Sequence, residues 1–299
     1  MTVSASEVPP AAYPWNVVDE EALRRVFRHR VLNAVAGLSL MVDAIRERGA
    51  TTRPALRAPC DGMERELAAM AQLAEGSRQT ANATPARAAK ELSTGVLRDA
   101  CERFCAELDG VRRQLDTARR GGVDSWFVER CDLMAIELAG LVRFTARLDL
   151  LFGPLPAPEP VRVADLLANA AEFFAHRFPL CPFMLNGDPD RDGVMSAGNL
   201  YWLALQELLA NGGEAAGRHG AVQLFWKTDG GQTLAVINSG EPWASAVPSA
   251  PVRPFCSSRG RHDGLGLAIA QRACEALKVE LRIRPNLPDA VVVMMVAAS

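Results

Sequence analysis

Lysine is scarce in this sequence, although basic residues are not. Of the 33 Lys and Arg residues, only Lys90, Lys227 and Lys278 are lysine, and none lies in a Gly-Lys-Ser or Gly-Lys-Thr sequence. The chain therefore lacks a P-loop, the glycine-rich phosphate cradle that depends on such a lysine. If the protein binds a nucleotide, it does so with another arrangement of residues.

An excess of charge of either sign is also absent. The 33 basic and 35 acidic residues give a net charge of −2, so no positive field attracts nucleic acid or anionic lipid. No apolar run reaches the roughly 18–20 residues that a membrane-spanning helix needs. The N-terminus shows no charged-then-apolar signal peptide. We therefore expect no nucleic-acid binding and no membrane insertion, and a cytoplasmic protein.

Metal-ligand spacings are missing as well. The seven cysteines form no Cys-x-x-Cys pair and the four histidines are scattered, so no zinc site is predicted. What the chain does have is length and apolar content. Its 299 residues, 49% of them hydrophobic, are enough for two domains that each bury a core.

Helical periodicity dominates the first half of the chain. Residues 1–19 are predicted to form a flexible tail and residues 20–153 a helical domain. Four helical segments are expected, over 21–48, 61–80, 86–119 and 125–151.

Apolar residues of the first helix recur at alternating steps of four and three, the heptad pattern of a helix that packs along a partner. They are Phe27, Val31, Ala34, Leu38, Met41 and Ile45. The partner lies either in the same chain, where residues 125–152 and 61–80 are the candidates, or in a second subunit. In the fourth helix the predicted apolar stripe is Leu133, Ile136, Leu141, Phe144, Leu148 and Leu151.

A proline-rich segment marks the predicted domain boundary. Four prolines stand between 153 and 160, and they cannot continue a helix, so residues 154–160 are predicted to be a semi-rigid linker. Residues 161–299 show a mixed pattern of helices and hairpins, typical of a layered α/β domain rather than a βαβ repeat. The expected elements are helices at 163–177, 198–216 and 264–277 and strands at 182–186, 221–226, 233–238, 279–284 and 290–296.

Three patches in this second domain have residues suited to nucleotide chemistry. Glu207 and Asn211 are four residues apart on one helix face, and offer a carboxylate and an amide oxygen that a hard cation accepts. Asn238 ends a strand with an amide able to recognise a purine edge. Gly264 and Gly266 lead into a helix whose N-terminus favours phosphate.

In this order the patches resemble the ATP-binding domain of bacterial sensor histidine kinases, which has the Bergerat (GHKL) α/β sandwich fold. The resemblance covers residues 160–299. Its matching segments are an Asn box at 207–211, a first glycine box at 236–240, a Phe motif at 253–255 and a second glycine box at 264–269.

The resemblance implies that the domain binds ATP and Mg²⁺. Asn211 would hold the metal, Glu207 would support it or act as a base, and Asn238 would face the adenine. The nucleotide-binding residues would be Asn211, Asn238, Gly240, Gly264, Leu265 and Gly266. Two positions depart from the family pattern: an aspartate usually stands where Asn238 is, and Gly240 is followed by Glu241 and Pro242.

The segment from Phe27 to Asn33 resembles the phosphoacceptor box of the same family, in which an asparagine follows the histidine by four residues. Because Phe27 and Val31 belong to the apolar seam, His29 is expected on the outer face of the helix, where an imidazole can act as a nucleophile. Arg30 departs from the acidic residue that many members have directly after the histidine.

The predicted architecture is an N-terminal helical dimerisation bundle followed by a Bergerat-type α/β sandwich. The predicted function is that of a two-component histidine kinase, a transferase that phosphorylates His29 from ATP and passes the phosphate to a response-regulator receiver domain. A homodimer is expected. Two alternatives stay open: a histidine phosphotransfer protein with a degenerate ATP domain, and a non-catalytic regulatory binding module.

Overall fold

The structure is a computed structural model, and it describes residues 20–49, 54–76, 94–117, 125–187, 193–227, 233–239, 264–287 and 290–297. The chain divides between Gly153 and Pro154 into two units, here called the helical unit and the α/β unit. The predicted tail, residues 1–19, lies outside the described residues.

The described residues of the helical unit form four long helices, and each packs against the next described one in the chain. They are α1 (Glu20–Gly49), α2 (Arg57–Gly76, preceded by a 3₁₀ turn at Pro54–Leu56), α3 (Thr94–Thr117) and α4 (Ser125–Phe152). Helix α4 also packs against α1, so the four helices close a bundle within one chain.

The apolar seam of α1 is covered inside this bundle. Phe27, Val31, Leu38 and Ile45 are fully buried, because α2 and α4 both pack against α1. The Phe27 and Phe144 rings, for example, have centroids 6.3 Å apart. The sequence left the seam's partner open between a helix of the same chain and a second subunit, and the structure places two partner helices in the same chain.

Two details of the predicted stripes are wrong. In α1, Val42 is buried and Met41 is not, because the 3.6-residue period drifts away from a strict heptad along a long helix. In α4, Leu133 and Ile136 are exposed. The buried face of α4 consists of Phe127, Cys131, Met134, Leu138, Leu141, Phe144, Thr145, Leu148 and Leu151.

The α/β unit is a mixed sheet covered by helices on one face. Its strands are β1 (Val161–Arg162), β2 (Phe183–Gly187), β3 (Val194–Met195), β4 (Ala221–Lys227), β5 (Thr233–Ser239), β6 (Val279–Leu287) and β7 (Ala290–Ala297). The five-stranded sheet has the order β2-β4-β5-β7-β6, and β1 pairs separately with β3. Strand β2 runs parallel to β4 and the other neighbours are antiparallel.

Three helices pack on this sheet: α5 (Val163–Arg177), α6 (Gly198–Ala216) and α7 (Gly266–Leu277). Alternate strand residues point towards them, since successive side chains of a strand lie on opposite faces. On β4 and β5 the helix-facing residues are Val222, Leu224, Trp226, Leu234 and Val236. All elements predicted for 161–299 are present, with ends within a few residues of the expected ones.

Candidate functional site

His29 lies on the exposed side of α1, as predicted from the seam. Its Nε2 lies 3.0 Å from Nδ2 of Asn33, one turn further along the helix. An amide nitrogen donates and does not accept, so Nε2 is the accepting nitrogen and the ring proton lies on Nδ1. The lone pair of His29 is thereby on Nε2, at the outer end of the imidazole.

The side chain of Arg30 reaches α4. Its guanidinium pairs with Glu137, with 3.7 Å between Nη1 and Oε1. Gly140 leaves room for this arrangement, because a Cβ there would lie 3.0 Å from Nη2 of Arg30. The arginine at this departure from the family pattern thus pairs with an acidic side chain of α4.

Three buried thiols, those of Cys60, Cys101 and Cys274, are poor alternatives to His29 as a nucleophile. Burial raises the pKa of Cys101 and of Cys274 to about 12, and that of Cys60 to about 11. These side chains therefore stay protonated near neutral pH, and only a thiolate is nucleophilic.

In the α/β unit, Glu207 and Asn211 lie one turn apart on α6, and both are half-buried. Leu208, Leu209 and Ala210 between them are buried. The core contacts of these three residues fix the rotation of the helix. Glu207 and Asn211 are consequently held along one partly accessible face, as their spacing predicted.

Two glycines directly after Asn211 let α6 approach its neighbours closely. A Cβ on Gly212 would lie 3.2 Å from Cγ1 of Val236, and one on Gly213 would lie 2.6 Å from the Phe178 ring. Sequence reasoning missed both glycines as site residues. The signal was available, since paired glycines inside a helix are costly and indicate a close approach.

Asn238 is near the end of β5 and only 5% exposed. Its Nδ2 is buried and has no hydrogen-bond partner within the part of the chain that the structure describes. The next residue, Ser239, uses its hydroxyl oxygen to accept a hydrogen bond from the Ala221 amide at 2.9 Å. The strand end is therefore anchored to β4, whereas the Asn238 amide keeps an unused donor.

The second glycine box is a turn that leads into α7. Gly264 has φ of 65°, a left-handed conformation that glycine adopts at little cost. Leu265 is fully buried and Gly266 is buried at the first position of the helix. Of the predicted binding residues, Leu265 could thus offer a ligand only its backbone.

The structure brings the Asn box and the strand-end asparagine together. Gly212 contacts Val236 and Val222. Asn238 lies two residues beyond Val236 on the same face of β5, and its register partner on β4 is Val222. The helix with Asn211 and the strand with Asn238 therefore pack against each other, and α7 packs directly against α6.

The remaining predicted positions lie outside the described residues: Gly240, Pro242 and the Phe motif at 253–255.

These residues fit a nucleotide with its metal ion. The Asn238 amide has an orphaned buried donor that a base can satisfy, and the Gly264 turn places backbone without side chain before a helix N-terminus. Among the described residues no group of three or more His, Cys, Asp or Glu could hold a metal. Mg²⁺ in nucleotide sites is coordinated largely by phosphate oxygens and water. A single protein ligand, such as the amide oxygen of Asn211, is therefore enough to hold the ion.

Comparison with solved structures identifies the fold. The full-length histidine kinase ShkA, determined in complex with AMPPNP, matches with a TM-score of 0.52 and 17% identity over 67% of this chain and 45% of ShkA. The catalytic domain of histidine kinase ThkA matches with a TM-score of 0.42 and 19% identity, over 48% of this chain and 95% of that domain. The Acinetobacter baumannii histidine kinase AdeS matches with a TM-score of 0.45 and 14% identity, over 65% of this chain and 94% of AdeS.

The ShkA match confirms the predicted fold, a helical region followed by a histidine-kinase (GHKL-type) α/β domain. No protein-family model matches the sequence, and no curated protein matches it. Within the described residues, no helix is both long and apolar enough to cross a membrane.

Proposed function

We propose that this chain is a histidine kinase of two-component signalling, which phosphorylates His29 from ATP. The observation that carries the proposal is the exposed His29–Asn33 pair. It lies on a bundle helix of a chain whose other unit has the histidine-kinase fold. The nucleotide would be held by Asn238 at its base, by Asn211 through Mg²⁺, and by the backbone of residues 264–266 at its phosphates.

The residues of the helical unit perform the transfer itself. When bound, ATP–Mg²⁺ supplies an electrophilic γ-phosphoryl group. Nε2 of His29 forms the nitrogen–phosphorus bond as the oxygen–phosphorus bond to ADP breaks, and the Nδ1 proton is then released. Before the transfer, the hydrogen bond from Asn33 holds the tautomer in which Nε2 has the lone pair.

The partners follow from the same proposal. Phosphohistidine would pass its phosphoryl group to an aspartate of a response-regulator receiver domain. Dependence on ATP implies a cytoplasmic protein. The predicted homodimer would need a surface other than the α1 seam, because α2 and α4 already cover that seam. The separate folding of residues 20–153 and 161–299, joined by the linker 154–160, stays a prediction.

A phosphotransfer protein that relays phosphate without ATP is the second candidate. Two observations favour it: the bundle is complete within one chain, and the amide of Asn238 has no charge to offer the adenine amine. This protein would still carry phosphate on His29, but it would receive that phosphate from a phosphorylated receiver domain.

Incubation of the full chain with γ-labelled ATP and Mg²⁺ tests these functions. We expect acid-labile, alkali-stable label on the wild type and none on His29→Gln. A matched control is His219→Gln, since His219 is also an exposed histidine but lies in the α/β unit, and it should keep the label.

Each other outcome selects among the alternatives. Label accepted on His29 only from a phosphorylated receiver domain would favour the relay. Absence of label from either donor would contradict both, and would favour the non-catalytic binding module. Equal labelling of wild type and His29→Gln would contradict His29 as the acceptor.

A further inference from the structure

The segment that leads from α4 into β1 is attached to the first turn of α6 by one side chain. Asn199 uses both ends of its carboxamide: Oδ1 accepts from the Glu159 amide at 2.9 Å, and Nδ2 donates to the Ala157 carbonyl at 2.7 Å. Oδ1 also accepts from the Leu200 amide at 2.9 Å. The backbone N–H of Asn199 donates to the Glu159 carbonyl at 3.5 Å, which is long for such a bond. The side chain is therefore the main attachment of residues 157–159.

The residues that follow are held by the sheet and by α6. Val161 pairs with Met195 in the β1–β3 ladder, and the Val163 amide donates to the Gly193 carbonyl at 2.9 Å. A Cβ on Gly198, the first residue of α6, would overlap the Val161 side chain. The end of the segment therefore lies directly on α6 and moves with the α/β unit.

Residues 154–156, here called the hinge, remain between the two attachments. On the α4 side, the Gly153 amide donates to the Asp149 carbonyl at 2.7 Å. Within the described part of the chain, no hydrogen bond involves the hinge. Pro154 and Pro156 have a fixed φ, and each restricts the residue before it. The hinge is therefore short, and it can bend at few bonds.

Helix α6 connects this attachment to the proposed nucleotide site. Asn199 and Asn211 are on the same helix, about 18 Å apart at a rise of 1.5 Å per residue. Residues 157–159 are consequently fixed to the element that carries the proposed ligand of Mg²⁺. Loss of the Asn199 side chain would free the segment and leave Asn211 in place.

On the basis of the proposed function, in which ATP on the α/β unit reaches His29 on the helical unit, we propose that Asn199 is a positioning residue. By holding residues 157–159 on α6, it confines motion between the two units to the hinge. The α/β unit then samples a small range of orientations, which raises the effective concentration of ATP at His29. Without the Asn199 side chain, the mobile stretch would extend over residues 154–160.

Single-molecule energy transfer in the full chain measures the motion itself. Fluorophores are attached through non-natural amino acids at Glu47 and Arg218, which are exposed and belong to different units. Asn199→Ala should widen the distance distribution about 1.5-fold, because the size of a flexible stretch grows with the square root of its length. Asn186→Ala is the matched control and should keep the wild-type width. It also removes an exposed amide hydrogen bond of the α/β unit, at 3.0 Å to Gln223, but on β2.

Kinetics separate a positioning role from a merely structural one. Asn199→Ala should lower the maximal rate of His29 phosphorylation about three- to fourfold, because effective concentration falls with roughly the −3/2 power of the mobile length. The ATP concentration for half-maximal rate should stay within about twofold, since the site residues are unchanged. Asn199→Asp keeps the acceptor and loses the donor to the Ala157 carbonyl, so it should give intermediate values.

A second variant lengthens the hinge without touching Asn199. Insertion of Gly-Ser-Gly-Ser between Leu155 and Pro156 adds as much mobile chain as the release of residues 157–160. It should reproduce both the wider distance distribution and the lower maximal rate.

The inference fails if Asn199→Ala leaves the distance distribution unchanged; if that variant does not fold by circular dichroism, Asn199→Asp takes its place. It also fails if the insertion leaves the maximal rate unchanged or raises it, because a loss in Asn199→Ala alone would then come from the fold. A distribution that widens in Asn199→Ala, together with no phosphorylation of His29 in the wild type, would retain Asn199 as the residue that confines the hinge and overturn the kinase function alone.

Discussion

His29 and Asn33 lie on the exposed side of a helix whose opposite side forms the bundle core, whereas Asn238 lies inside the core of the α/β unit. In the helical unit, the residues that would react and the residues that stabilise the fold are on different faces of α1. In the α/β unit, three of the candidate binding residues, Asn238, Leu265 and Gly266, belong to the packed layer itself. The difference implies that substitutions separate function from stability in the first unit and couple them in the second.

The largest expected effect tests the first half of this comparison. Phe27→Ala should lower the free energy of unfolding of the helical unit by about 3–5 kcal/mol, since Phe27 is fully buried against Phe144 and truncation leaves a cavity. His29→Ala, two residues away, should change it by less than about 0.5 kcal/mol. Urea unfolding followed by circular dichroism measures both. Comparable losses in the two variants would refute the separation.

Gly213→Ala tests the coupling in the α/β unit. The added Cβ would lie 2.6 Å from the Phe178 ring, so the free energy of unfolding should fall by about 1–3 kcal/mol. Gly37→Ala in α1 is the matched control, because among the described residues no atom beyond its chain neighbours and the local helix backbone lies within 4 Å of its Cβ position. There the better helix propensity of alanine should raise stability by about 0.5–1 kcal/mol. A stabilised Gly213→Ala protein would contradict the close α6 packing.

Asn238→Leu should make the folded protein more stable and its binding of nucleotide weaker. Removal of an unsatisfied buried donor should raise the free energy of unfolding by about 1 kcal/mol, while nucleotide affinity falls. Asn33→Leu, an exposed asparagine in α1, should change stability by less than about 0.5 kcal/mol. Thermal unfolding without nucleotide provides the measurement. Loss of stability in Asn238→Leu would indicate that Nδ2 already has a partner in the folded protein.

The smallest effect concerns the Arg30–Glu137 pair. Both side chains are partly exposed, at 36% and 34%, and solvent screens such pairs strongly. A double-mutant cycle with Arg30→Ala and Glu137→Ala should give a coupling energy of about 0.5 kcal/mol in unfolding experiments. A coupling above about 2 kcal/mol would show that this surface pair belongs to the structural core of the bundle.

Most of the fold could be predicted from the sequence because prolines and glycines mark the ends of its helices and strands clearly. The helices at 163–177 and 198–216 have the predicted ends, since prolines and glycines bracket their apolar patterns. The exposed position of His29 followed from the seam. The seam was misjudged at Met41, however, because a heptad template accumulates error along a straight helix. The α4 stripe was misjudged at Leu133 and Ile136, because apolar residues occur on both faces of that part of the helix and Cys131 and Met134 take the buried positions.

Other features could not be predicted, because they depend on contacts between distant segments. Nothing in the local sequence of Arg30 indicates that Glu137 and Gly140 receive its guanidinium. The spacing of Asn238 suggested a ligand contact, but its orphaned Nδ2 follows from the pairing of β5 with β4 and β7. The family resemblance assigned no role to helices α2 and α3. The structure shows that they complete the four-helix bundle with α1 and α4.

The closed bundle has a consequence for the number of phosphorylation states that one bundle can adopt. The four helices of one chain contain a single histidine, His29. A bundle built from two identical chains would carry two acceptors and could exist empty, half-loaded or full. With His29 as the proposed acceptor, one such bundle would have only two states, unphosphorylated and phosphorylated, and in a homodimer of this chain the two acceptors would lie on separate bundles.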